Sequence, residues 1–179
     1  MTTPEFSRGL PTFAEAISKT FGFLFTDFGF AVVHQEDSWG EHGLVVLESK
    51  DCRVKFVFDR GAVQIFLGRK DAAPTWSDGS GARKAWFYLQ GVVDFLEGRP
   101  KRSLAQLLTE GEQQKGLSEG DDLAQAAELL RPVGGEAFRL FGQDDQGGRW
   151  SSFVSYYTDH KDLSRELREK HGGARRATE

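Results

Sequence analysis

Three short runs in the middle of the chain, Leu44–Ser49, Arg53–Phe58 and Ala62–Leu67, constrain the fold more than any other feature of the sequence. In the second run Val54, Phe56 and Phe58 alternate with Arg53, Lys55 and Val57, and in the third Val63, Ile65 and Leu67 recur at every other position. That is the two-residue period of a strand, whose successive side chains point to opposite faces. Only Lys50 and Asp51 separate the first pair of runs, and Asp59, Arg60 and Gly61 the second. A parallel crossover takes about a dozen residues or more, so linkers this short force the chain to reverse. Gly61 supplies a residue free to take positive φ in the second reversal. The result is an antiparallel meander, one face of which needs a cover of helices. A further short strand is expected at Phe30–Val33, and the polar run His34–Gly43, with Trp39 and Gly40 inside it, reads as an ordered loop excursion.

The covering helices are visible on both sides of the meander. Thr12 and Glu15 stand at capping-box spacing, and Phe13, Ile17, Phe21, Leu24 and Phe28 follow at steps of three and four, with Gly29 as the stop. The spacing of Trp86, Leu89, Val92, Val93 and Leu96 predicts a second helix ending near Gly98, which Pro100 prevents from continuing. Ser103 and Gln106 repeat the capping pattern ahead of Leu104, Leu107 and Leu108. Asp121 and Asp122 suit the positive end of a longer helix through Leu123, Ala127, Leu130, Val133, Ala137 and Phe141, which Pro132, Gly134 and Gly135 are expected to kink or divide. Trp150, Phe153, Val154 and Tyr157, then Leu163 and Leu167, fit one or two closing helices. The predicted fold class is α+β, an antiparallel β-meander packed against several α-helices. It forms a single domain over residues 1–171, with 110–120 as candidate internal linker and 172–179 as a mobile tail.

Length and charge narrow the function. A chain of 179 residues, 39% hydrophobic and 12% aromatic, buries roughly 70% of the surface that its unfolded form exposes, enough for one ordinary core. Twenty-seven acidic against 23 basic residues give a net charge of −4, which argues against general attraction to nucleic acid or anionic lipid and favours a basic partner. Cys52 is the only cysteine, so there is no internal disulfide; a reducing compartment and a role as a small buried hydrophobe follow. No segment approaches the ~20 apolar residues that span a bilayer, and the opening residues, with Glu5 and Arg8, lack a signal-peptide core. The chain reads as soluble and cytoplasmic, with no membrane contact.

Several constellations invite a chemical reading. Asp37, then Glu48, Ser49 and Lys50, follow the order used by restriction-type nucleases, in which carboxylates hold Mg²⁺ and the lysine helps generate hydroxide. At a strand end beside a turn, solvation alone accounts for the same residues. His34 and His42, with Glu36, Asp37 and Glu41 between them, match no compact metal-ligand spacing, and His160 and His171 form no HExxH pair. Ser77, Ser80 and Ser103 lack a nucleophile elbow, and the glycines near Gly68 and Gly81 lead into no P-loop. No cofactor or metal is expected. Arg69, Lys70, Arg83 and Lys84 bracket Trp76 in the long polar segment Gly68–Lys84, a pattern that suits phosphate contact with base stacking. Asp71, Asp78 and the acidic total favour instead a solvated loop with one anchoring tryptophan. Trp39 ringed by Glu36, Asp37 and Glu41 has the composition of an interaction hot spot, and equally of a loop whose tryptophan tucks into the core. The candidate partner-binding residues are Glu36, Asp37, Trp39, Glu41 and Trp76.

The strand entry Gly29-Phe30, the FVFDRG hairpin Phe56–Gly61, and the segments YLQGVVDFLEG (Tyr88–Gly98) and ELLRPVGGEAFRLFG (Glu128–Gly142) together resemble small bacterial immunity-type proteins of polymorphic toxin systems. The loop Gly68–Lys84 departs from that style. The resemblance implies a non-catalytic protein that binds and blocks, or regulates, another protein of the same cell. A basic toxin or other nucleic-acid-acting protein would be steered by the acidic patch and anchored by Trp39 or Trp76. The alternatives are a Mg²⁺-dependent nuclease using Asp37, Glu48 and Lys50, and a subunit of a bacterial defence or regulatory complex.

Overall fold

The computed structural model describes residues 12–38, 42–59, 62–76, 86–99, 119–142 and 148–157. The capping box forms as expected: the Glu15 amide donates to Thr12 Oγ1 at 3.3 Å and the Thr12 amide to Glu15 Oε2 at 2.7 Å, starting α1 (Phe13–Thr20). Phe21, at φ −104° and ψ 28°, interrupts the helix, and α2 (Gly22–Phe28) follows and ends on Gly29 in the left-handed region at φ 66°. The predicted single helix is thus two short ones. Their apolar face is continuous all the same, with Phe13, Ile17, Phe21 and Leu24 buried.

Five strands follow, β1 (Ala31–Ser38), β2 (His42–Glu48), β3 (Cys52–Asp59), β4 (Ala62–Arg69) and β5 (Trp86–Tyr88). They pair antiparallel in the order β1-β2-β3-β4-β5, so the fold is α+β with a meander sheet. Two strand expectations need correction. The run His34–Gly43 is not a loop, because β1 continues to Ser38 and β2 begins at His42, with Ser38 paired to His42. Pairing with the buried strand β2 outweighs the polarity of β1, which an edge strand tolerates because one side of it meets water. Trp86 does not open a helix; it pairs with Gly68, Phe87 with Leu67 and Tyr88 with Phe66. Three successive aromatics suit a pleated surface, and α3 (Leu89–Leu96) starts only behind them.

Helix α4 (Glu119–Gly142) runs through Pro132 as one element. The predicted division is absent, and Glu119 and Gly120, the end of the expected linker 110–120, belong to its first turn. A last helix, α5, covers residues 149–157. The remainder of the linker, the Ser103–Leu108 helix, Leu163, Leu167 and the tail 172–179 lie outside the described residues.

Period-two alternation sorts the strands into two faces. On one face Val45, Leu47, Val54, Phe56, Ile65, Leu67 and Phe87 join Ile17, Phe21, Leu24, Val92, Leu130, Phe138, Phe141 and Phe153 of the helices in the main core. Phe87 is the hub of its far end, its ring centroid 5.0–5.7 Å from those of Phe141, Trp150, Phe153 and Tyr157. The other face carries a second, smaller core of Leu44, Val46, Val57, Trp86 and Ala72. Ala72 belongs to no strand or helix: residues 70–76 leave β4 and cross this face as a strap. Among the described residues, no helix is long and apolar enough to cross a membrane.

Candidate functional site

The strap is held from below by side-chain donors on the sheet. Arg53 Nη1 donates to the Ala72 carbonyl at 2.5 Å, Trp86 Nε1 to that of Ala73 at 2.9 Å, and Lys55 Nζ to that of Thr75 at 3.2 Å. Lys55, placed by the alternation on the face opposite Val54 and Phe56, is only 1% exposed. Its ammonium sits 4.6 Å from the Trp86 ring centroid and 4.9 Å from that of Phe66, where ring quadrupoles offset part of the lost hydration. Arg53 also donates to Glu48 Oε2 at 2.7 Å, and Lys70 lies 3.8 Å from Glu48 Oε1.

At its end the strap presents Trp76, whose side chain stays 41% exposed. Its indole Nε1–H donates to Glu36 Oε2 at 2.6 Å, and the other carboxylate oxygen lies 2.6 Å from His34 Nε2. These bonds, His34 first and Trp76 second, hold the Glu36 carboxyl below its ordinary range. The His42 ring stands edge-on to Trp76, with centroids 6.3 Å apart, and His42 Nδ1 lies 2.8 Å from Asp59 Oδ1. The sheet dictates this assembly. Glu36 is paired with Leu44, His34 with Val46 and His42 with Asp59, so all four polar residues project on the strap's side.

Of the five candidate partner-binding residues, the structure brings Glu36 and Trp76 into contact across 40 positions of sequence. Asp37 is the next residue of β1, paired with Gly43; Trp39 and Glu41 lie outside the described residues. His34, His42 and Asp59 join the cluster, although the two histidines match no metal-ligand spacing in the sequence. The signal was the i, i+2 spacing of His34 and Glu36, which places both on one face once the segment is a strand.

The nuclease constellation does not assemble. Glu48 is paired with Ala31 and Asp37 with Gly43, so the two positions lie at opposite ends of the β1–β2 pair, about 20 Å apart along the backbone at the rise of an extended strand. Glu48 is bonded to Arg53, and Lys50 is exposed in the β2–β3 turn. Among the described residues, no group of three or more His, Cys, Asp and Glu side chains is placed to hold a metal ion. Of the basic set around Trp76, the Arg69 guanidinium lies 5.6 Å from the Trp150 ring centroid and Lys70 is 3.8 Å from Glu48, while Arg83 and Lys84 lie outside the described residues. Cys52 is fully buried, and burial pushes its thiol up to about 12, which leaves it protonated and unreactive at neutral pH.

What the arrangement offers is an exposed indole held by a carboxylate that also bonds His34, beside a second histidine–carboxylate pair, on one face of the sheet. Compared with protein-family models, curated proteins and solved structures, the chain matches none.

Proposed function

We propose that this protein is a non-catalytic protein-binding module that blocks or regulates a basic partner in the manner of an immunity protein, with Trp76 and Glu36 at the centre of its contact surface. The observation that carries the reading is the pose of Trp76: a large aromatic, 41% exposed, is fixed by a 2.6 Å bond from its indole to a carboxylate. Tryptophan leads the residues that anchor interfaces, and an anchor ordered beforehand loses little side-chain entropy on binding. Glu36 bonds the indole, Asp59 pairs with the His42 that stands against it, and Asp37 and Glu41 neighbour Glu36 in sequence. Carboxylates at the rim accelerate encounter with a cationic surface.

Affinity capture with the tagged chain tests this, comparing the parent with Trp76→Ala and with Glu48→Ala as a control remote from the anchor. The parent and Glu48→Ala should retain one protein stoichiometrically. Trp76→Ala should weaken that retention by about tenfold or more, the loss typical of a central aromatic anchor. A parent chain that retains nothing at any salt concentration, or a partner held equally well by Trp76→Ala, refutes the reading.

A further inference from the structure

The two edges of the sheet are finished differently. β5, at one edge, is three residues long, and the Tyr88 amide donates to the Tyr157 hydroxyl at 3.0 Å, so α5 closes that side. β1, at the other edge, is eight residues long, and among the described residues no strand pairs with its outer side. Val32 and Val33 on it are 45% and 47% exposed. An open edge of this length with exposed β-branched residues is a template for one more strand.

We propose that β1 is a docking edge for an extended, basic segment of the partner protein, added antiparallel to it. The inference rests on the protein-binding reading above and names the partner's chemistry. β1 is apolar at its start, Ala31-Val32-Val33, and acidic near its end, Glu36-Asp37. A second copy added antiparallel about the strand's centre sets Val33 across from Glu36 and Val32 across from Asp37, and a parallel copy in register sets each carboxylate against itself. Both pairings are unfavourable. The register shift between Val32 and His34 adds twist that further guards against a long flat match with another copy. A segment that begins with Lys or Arg and ends with Val or Ile satisfies both halves of the edge at once. Trp76 lies on one face of this end of the sheet, bonded to Glu36 of the edge strand and edge-on to His42 of β2.

The test is a titration of the isotope-labelled full chain with the capped peptide Thr-Lys-Arg-Thr-Thr-Val-Val-Thr and with its counterpart carrying Glu at the two basic positions, followed by amide exchange. The basic peptide should slow exchange along His34–Ser38 and bind about tenfold more tightly than the acidic one, a preference that salt weakens. Asp37→Lys should reverse the preference, and unchanged amide shifts outside β1 will confirm that this variant is folded. Absence of protection along β1 at millimolar basic peptide, equal binding of both peptides, or self-association through β1 without peptide overturns the proposal. If the captured partner depends on Trp76 but is indifferent to Asp37→Lys and Val33→Asp, the docking edge fails while the binding reading stands. If nothing is captured, the binding reading fails, and the peptide titration still decides whether the edge accepts a strand.

Discussion

Gly142, the last residue of α4, lies against the turn that joins β2 to β3. A Cβ built there falls 2.6 Å from Asp51 Cβ and 3.1 Å from Asp51 Cα. The second atom matters more, since a Cα moves only with its backbone. That turn is tied down: Ser49 Oγ accepts from the amides of Asp51 and Cys52 at 3.2 and 3.3 Å, and the Ser49 amide donates to the Cys52 carbonyl at 2.9 Å. Forcing one carbon into so tight a contact costs about 1–3 kcal/mol. Replacing Gly by Ala inside a helix returns up to ~1 kcal/mol, and less at its final residue. Gly142→Ala should therefore lose about 1–2 kcal/mol net, a fall in the urea midpoint of roughly 0.5–1 M at the slopes typical of small proteins. Gly22→Ala is the internal control: nothing lies within 4 Å of its added methyl, and it should gain about 0.5 kcal/mol from the helical preference alone. Equilibrium urea unfolding followed by far-UV circular dichroism measures both. A Gly142→Ala variant as stable as the parent would refute the seating of α4 on this turn.

Phe87→Leu removes a ring that meets four others at 5.0–5.7 Å, and should cost about 2–3 kcal/mol; a loss under ~0.5 kcal/mol in the same assay would contradict the placement of β5 against α4 and α5. The Glu36 carboxyl is depressed by its bonds to His34 and Trp76, so its contribution is complete above the unfolded-state value of 4.5 and disappears as pH falls through the lower folded-state value. Trp76 fluorescence, taken as the difference from Trp76→Phe, should accordingly change below that pH in the parent and not in Glu36→Gln; an identical acid transition in both would assign it to another group. Cys52, buried with its thiol near 12, should resist a disulfide reagent at pH 8 until the chain opens, with a labelling rate that rises with denaturant; immediate labelling of the native protein would show that β3 is not packed as described.

Features set by neighbours in sequence were legible and those set by distant partners were not. The Thr12–Glu15 box, the reversals around Lys50-Asp51 and Asp59–Gly61, and the burial of Cys52 follow from spacing within a few residues. β5 was hidden because Trp86 fits the helical period of Leu89, Val93 and Leu96, whereas the group that decides its state is Gly68, its strand partner. The burial of Lys55 was equally invisible, since the strap covering it is fixed by donors from different strands. At the site, Glu36 and Trp76 each stand out in the sequence, but 40 positions apart in what read as separate loops, and only the register of β1 and the path of the strap join them. The Asp37–Glu48 pair illustrates the reverse error. A spacing that suits a catalytic motif means nothing until the register is known, and here the hairpin carries its two ends apart.

The strictly sequential order of the strands bears on how the chain is made. Each strand after β1 pairs with the one that precedes it in synthesis, so the sheet can zip from one end as it emerges, without waiting for a distant segment; local pairing of this kind lowers the entropic barrier to folding. The cover is another matter. Leu130, Phe138, Phe141 and Phe153, which close the main core over Val54, Ile65 and Leu67, all come from α4 and α5, after the last strand. A nascent chain that stops short of residue 119 has its strands and the first three helices in hand but lacks these four side chains, so its main core should close only when the last helices arrive.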